Sequence, residues 1–164
     1  MTWKRSVLVV ANVTAASDEL VSALRTQAER GPCSFVLIVP ATPFGGGRQA
    51  AHDSLGSALG QLRSAGLEAD GSVGDGDPLV AVSEAWDPKR YDEIIVSTLP
   101  MRFSKWLHAG LPERISKLTG APVTHIVSVP PKPPVETVAP RAHNSPGDVM
   151  GPLQVLGWGG HRDR

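Results

Sequence analysis

Five short apolar runs, each separated from the next by a stretch long enough to cross over as a helix, constrain this chain more than any other feature. Residues 7–11 (VLVVA) are continuously aliphatic. A strand without polar alternation fits a parallel sheet buried on both faces. Residues 34–39 form a second such run, and residues 67–73 a more polar one that is expected nearer a sheet edge. Residues 94–96 open a fourth, and residues 123–129 make the fifth.

The intervening segments carry helix signals. Ser17 is placed as an N-cap, with Leu20, Val21 and Leu24 on one face of the helix behind it. Residues 48–65 put Ala51, Leu55, Ala58, Leu59 and Leu62 on one side, and Gly66 closes that helix. Asp77 followed by Pro78 is a helix start, with Leu79, Val82 and Trp86 expected to be buried and Asp87-Pro88 as the stop. A loop bent at Pro100, a short basic helix and a further helix join the fourth run to the fifth. Alternation of this kind, with right-handed crossovers, predicts an α/β fold: a five-stranded parallel sheet with helices on both faces. Ligands in such sheets bind beyond the carboxyl ends of the strands. That rim comprises residues 12–14, 40–47, 74–76 and 97–105.

At 164 residues the chain supports one ordinary domain, read here as residues 1–129. The formal net charge is zero, and there is no aromatic stacking platform, so nucleic acid is not an expected partner. Locally, Arg102, Lys105, Arg114 and Lys117 outnumber Glu113, which reads first as a solvated helix face. Cys33 is the only cysteine and is expected to be a buried small hydrophobe, consistent with a reducing, cytoplasmic setting. Lys4 and Arg5 before an apolar run resemble a short signal peptide. The run is too short and broken by Asn12, so it reads as a strand, and no membrane insertion is expected. His52, His108, His125, His143 and His161 have no metal-site spacing, and no serine sits in a nucleophile elbow. Asp75 and Asp77 read as turn and cap residues. No catalytic residue and no metal are expected.

Residues 130–164 form a Pro-rich tail, expected to be extended and unable to bury a core of its own. Within its segment 150–160, Leu153, Val155, Leu156 and Trp158 make an apolar island. Two readings stand: the island folds back on its own domain, or it docks on a protein partner.

Several motifs in order resemble the universal stress protein family. Gly76-Asp77-Pro78 opens the third helix, Tyr91-Asp92 leads into the fourth strand, and Glu113-Arg114 is followed by Gly120-Ala121-Pro122-Val123. The resemblance covers roughly residues 5–129. It implies a Rossmann-like sheet of the adenine nucleotide alpha-hydrolase type, with a homodimer formed through the last strand, residues 123–129, where Val123, Ile126, Val127 and Val129 make an edge flanked by Thr124 and Ser128. Nucleotide-binding members resemble a pattern of G-x-x-G, nine residues, then G and Ser or Thr. Here Ser97 and Pro100 stand at the first two glycines, the spacing of nine is kept, Gly110 keeps the third glycine, and Leu111 replaces the hydroxyl. At the end of the first strand Asn12 stands where ATP binders of the family carry Asp.

These changes have physical consequences. Glycine lets backbone N–H groups approach phosphate oxygens. Pro100 lacks an N–H and Leu111 lacks a hydroxyl. No cofactor is therefore expected, ATP being the one that the resemblance would allow. The first expectation is a non-enzymatic domain that acts by binding a protein partner. The alternative is weak nucleotide or small-molecule binding, or hydrolysis, at the strand-end rim, with Asn12, Val39, Ser97, Thr98, Arg102, Lys105 and Gly110 as the candidate contacts. Ser104 adds a hydroxyl there. Arg102 and Lys105 would meet an anion as side-chain charges. Residues 45–47 read as a plain glycine linker.

Overall fold

Uninterrupted aliphatic runs need cover on both faces, and a central parallel sheet supplies it. In the computed structural model, residues 3–43, 46–100 and 102–128 are described. The strands are β1 (Arg5–Val10), β2 (Cys33–Pro40), β3 (Glu68–Gly74), β4 (Glu93–Thr98) and β5 (Val123–Val127). The helices are α1 (Asp18–Glu29), α2 (Gly47–Ser64), α3 (Pro78–Ala85), α4 (Lys105–His108) and α5 (Leu111–Thr119). The sheet order is β3-β2-β1-β4-β5, every pairing parallel. This is the expected α/β architecture, with the polar β3 at one edge and β5 at the other.

Alternation along β1 divides the core in two. Val7, Val9 and Ala11 pack with Leu20 and Leu24 of α1 and Ala51, Leu55, Ala58 and Leu62 of α2. Leu8 and Val10 pack on the opposite face with Ala81 and Val82 of α3, Trp106 of α4, and Leu111 and Ile115 of α5. Fully burying one such aliphatic side chain is worth roughly 1.5–3 kcal/mol.

Local signals place the helix starts. The Ser17 hydroxyl accepts from Leu20 N at 3.2 Å, and the Asp77 carboxylate accepts from Leu79 N at 2.9 Å. Pro78 lies in the first turn of α3, where a missing N–H costs nothing. Trp86 stands just past the end of α3, only half-buried, with its ring stacked on Tyr91 at a centroid distance of 6.1 Å. It closes the edge of the core where full burial was expected.

At the amino-terminal end of the sheet, the buried Glu93 carboxylate lies 2.7 Å from the Arg5 guanidinium. The Glu93 Oε1 atom makes no well-aligned hydrogen bond, so charge pairing is what holds it. Cys33 is buried beside this pair. Burial raises its thiol pKa, with Arg5 opposing and Glu93 and Asp92 adding to the rise.

β5 ends at Val127, earlier than the expected residue 129. Val123 and Ile126 are half-buried against the two core layers, and Val127 is 49 % exposed. Val129 lies outside the described residues, as do the tail residues Leu153, Val155, Leu156 and Trp158. Among the described residues no helix is long and apolar enough to cross a membrane.

Candidate functional site

Chain direction along the sheet reverses between β1 and β4. From β1 the strands run outward to β2 and β3, and the chain then returns to lay β4 on the other side of β1. The loop after β1 leads to α1 on one face, and the loop after β4 leads to α4 on the other. The two loops part at the carboxyl ends of the strands. Such a switch point is where open α/β sheets hold ligands.

A cleft of about 300 Å³ opens there. The loop after β1 supplies Asn12, Val13 and Thr14; the end of β4 supplies Ser97, Thr98 and Leu99; the approach to α4 and its first turn supply Phe103, Ser104, Lys105 and Trp106. That volume is at the lower end of what small-molecule sites enclose. Val13 is 45 % exposed and Phe103 67 % exposed, so both apolar side chains reach solvent while lining the cleft.

Buried hydroxyls form the polar part of the lining. Thr14 Oγ1 lies 2.8 Å from Ser97 Oγ, and Ser97 Oγ lies 3.0 Å from Ser128 Oγ. The chain ties the β1 loop to the end of β4 and to the residue after β5. Thr98 Oγ1 donates to Leu99 O at 2.9 Å and lies 2.7 Å from His125 Nε2. If the hydroxyl gives its one proton to Leu99 O, His125 must be the donor of the second bond. Ser104 Oγ accepts from Leu107 N at 3.1 Å and starts α4 as its N-cap.

Asn12 has a structural task. Its amide Nδ2 donates to Pro40 O at 3.1 Å and also to Thr42 Oγ1. It thereby joins the loop after β1 to the loop after β2. A carboxylate has no N–H to give the Pro40 carbonyl, so this strut requires the amide.

The candidate residues are not all gathered here. Asn12, Ser97, Thr98 and Lys105 line the cleft. Val39 is fully buried within β2, facing α1 and α2. Arg102 is exposed with its guanidinium 6.0 Å from the Phe103 ring centroid, and it does not line the cleft. Gly110 caps α5 with φ 66° and also lies away from it. Thr14, Phe103 and Trp106 were not among the candidates. Thr14 and Phe103 belong to the loops expected to form the rim. Trp106 carries no sequence mark separating a wall residue from a core residue. It is 6 % exposed, and its indole N–H has no hydrogen-bond partner.

The cleft contains no carboxylate and one ammonium group, that of Lys105. Among the described residues no group of three or more His, Cys, Asp or Glu side chains is placed to hold a metal ion. The arrangement offers a shaped apolar wall, buried hydroxyls and a single positive charge.

The fold is the α/β fold of universal stress proteins. A solved structure described as a universal stress protein in complex with cAMP superposes with a TM-score of 0.54, at 18 % identity, over 79 % of this chain and 100 % of that one. No protein-family model and no curated protein matches the sequence.

Proposed function

We propose that this domain is a non-enzymatic binding module, and that the cleft between β1 and β4 takes a small ligand of the nucleotide class. The cleft itself carries the reading: it lies at the switch point of the sheet and combines aromatic walls, hydroxyls and one cation. Cyclic AMP in the structurally similar protein supports the choice of ligand class. What moves the emphasis from a protein partner to a small molecule is that a built concavity exists at the place where this fold type binds ligands. The lining residues include no carboxylate and no imidazole to act as a general base, which favours binding over bond cleavage.

Thermal unfolding of the full chain with adenosine, AMP and cyclic AMP tests this. A ligand present at 100 times its Kd should stabilise the fold by about 2.7 kcal/mol. An unchanged Tm with all three at millimolar concentration would sink the proposal.

A second reading concerns self-association. β5 is an edge strand, and Val127 exposes about half of its surface. Exposed strand edges invite pairing with another copy. We propose a homodimer through β5. Light scattering coupled to size exclusion should give twice the chain mass, and Val127→Lys should return it to the monomer. A monomeric parent at tens of micromolar protein would end this reading.

A further inference from the structure

We propose that the face formed by α3 and α5 docks an acidic amphipathic helix of a protein partner. The two helices lie side by side over one face of the sheet, with Ala81, Val82, Leu111 and Ile115 buried in the core beneath them. Their outer sides leave a trough of about 440 Å³, lined by Leu79, Val80 and Ser83 from α3 and by Arg114, Lys117 and Leu118 from α5. Each set follows helical spacing, so each is one stripe along its own helix.

The trough offers apolar surface on both walls. Val80 is 38 % exposed on one and Leu118 52 % exposed on the other. Ser83 Oγ donates to Val80 O at 2.9 Å, so its proton is spent on its own helix. A partner that covers Val80 and Leu118 gains by removing both from water. A helix suits the place, because it seats a ridge of side chains in the groove that two neighbouring helices leave. The nine residues of α5 are matched by roughly two to three turns of a partner helix.

Charge selects the occupant. No carboxylate lines the trough. Arg114 and Lys117 are exposed, and among the described residues neither has an ion-pair or side-chain hydrogen-bond partner. Glu113 stands four residues before Lys117 and forms no ion pair with it. The two cations lie one turn apart on α5, so carboxylates three or four residues apart on a facing helix meet both. A second copy of this chain would bring the same two cations to this face and be repelled. A bilayer is flat, and two cations give little hold on anionic lipid.

Fluorescence anisotropy with the full chain tests the proposal. The probe is a fluorescent, end-capped peptide of about 18 residues, long enough to be helical in water. It carries leucine at i, i+3, i+4 and i+7, with glutamate on both flanks of that stripe. This peptide should bind, and a matched peptide with lysine in place of glutamate should bind at least about tenfold more weakly. The double variant Arg114→Glu, Lys117→Glu should invert that preference, with its circular dichroism unchanged because both side chains are exposed. Leu118→Ser should weaken the glutamate peptide and keep the charge preference. Equal affinity for the two peptides overturns the proposal, as does no binding of either at about 100 μM protein, or a double variant that holds the glutamate peptide as well as the parent. Self-association that Leu118→Ser abolishes would give the face to a second copy and overturn it too. So would binding to phosphatidylserine vesicles that the double variant loses, with the peptide left unbound.

Discussion

At the scale of single residues, Asn12 shows how the rim of the cleft is held together. Its amide donates to the Pro40 carbonyl and to Thr42, so it acts as a strut between two rim loops. Asn12→Asp would turn a donor into a buried anion facing a carbonyl oxygen. A loss of about 1–3 kcal/mol is expected at neutral pH, read from urea unfolding. Part of it should return at low pH, where the protonated carboxyl regains one donor. Asn12 is legible in the sequence as an uncharged residue on the rim. Its partners are not, because residues 40 and 42 come beside residue 12 only through the pairing of β1 with β2.

At the scale of elements, β3 shows how a polar, glycine-bearing strand is kept in the sheet. Gly71 lies so close to β2 that a Cβ there would meet Leu37 O at 2.4 Å and Leu55 Cδ1 at 2.8 Å. A Cβ on Gly74 would meet Ala81 Cβ at 2.7 Å. These glycines are tight because α2 and α3 pack directly over the strand. Gly71→Ala should therefore cost about 1–3 kcal/mol by overpacking, against the small gain an alanine normally brings to a strand. Circular dichroism melting checks this, and a variant as stable as the parent would contradict the close approach. The helix starts at Ser17 and Asp77 are the converse case: both are readable one residue at a time, because a cap is a contact over two or three positions. Trp86 was misread as a buried helix residue, because α3 stops at Ala85 and the ring turns to stack on Tyr91.

At the scale of the whole molecule, one sheet serves two core layers. Leu8 and Leu37 are each fully buried but on opposite faces, one against α3 and α5, the other against α1 and α2. Because both layers rest on the same strands, the domain should unfold in one step. Leu8→Ala and Leu37→Ala should each cost about 2–5 kcal/mol. With no shared cavity, the double variant should lose close to the sum. Calorimetry reads this directly, and two resolved transitions in either single variant would contradict a common unit. The cleft depends on the same arrangement, since its walls descend from loops that leave the sheet toward opposite layers.

The sequence by itself determined the five strands, the helices between them, the parallel sheet and the rim at the carboxyl ends of its strands. These follow from local apolar runs, caps and breakers, each a property of neighbouring residues. Set beside the family pattern it resembles, it also marked Ser97, Pro100 and Leu111 as the positions that differ. Only the tertiary structure decided which rim residues share a cleft. It placed Val39 in the core, turned Arg102 onto Phe103, left Gly110 outside, and brought Thr14, Phe103 and Trp106 in beside Lys105. The reason is physical: those groupings join residues up to 94 positions apart in the chain (residues 12 and 106), and their proximity is set by strand order and by the direction in which each loop leaves the sheet.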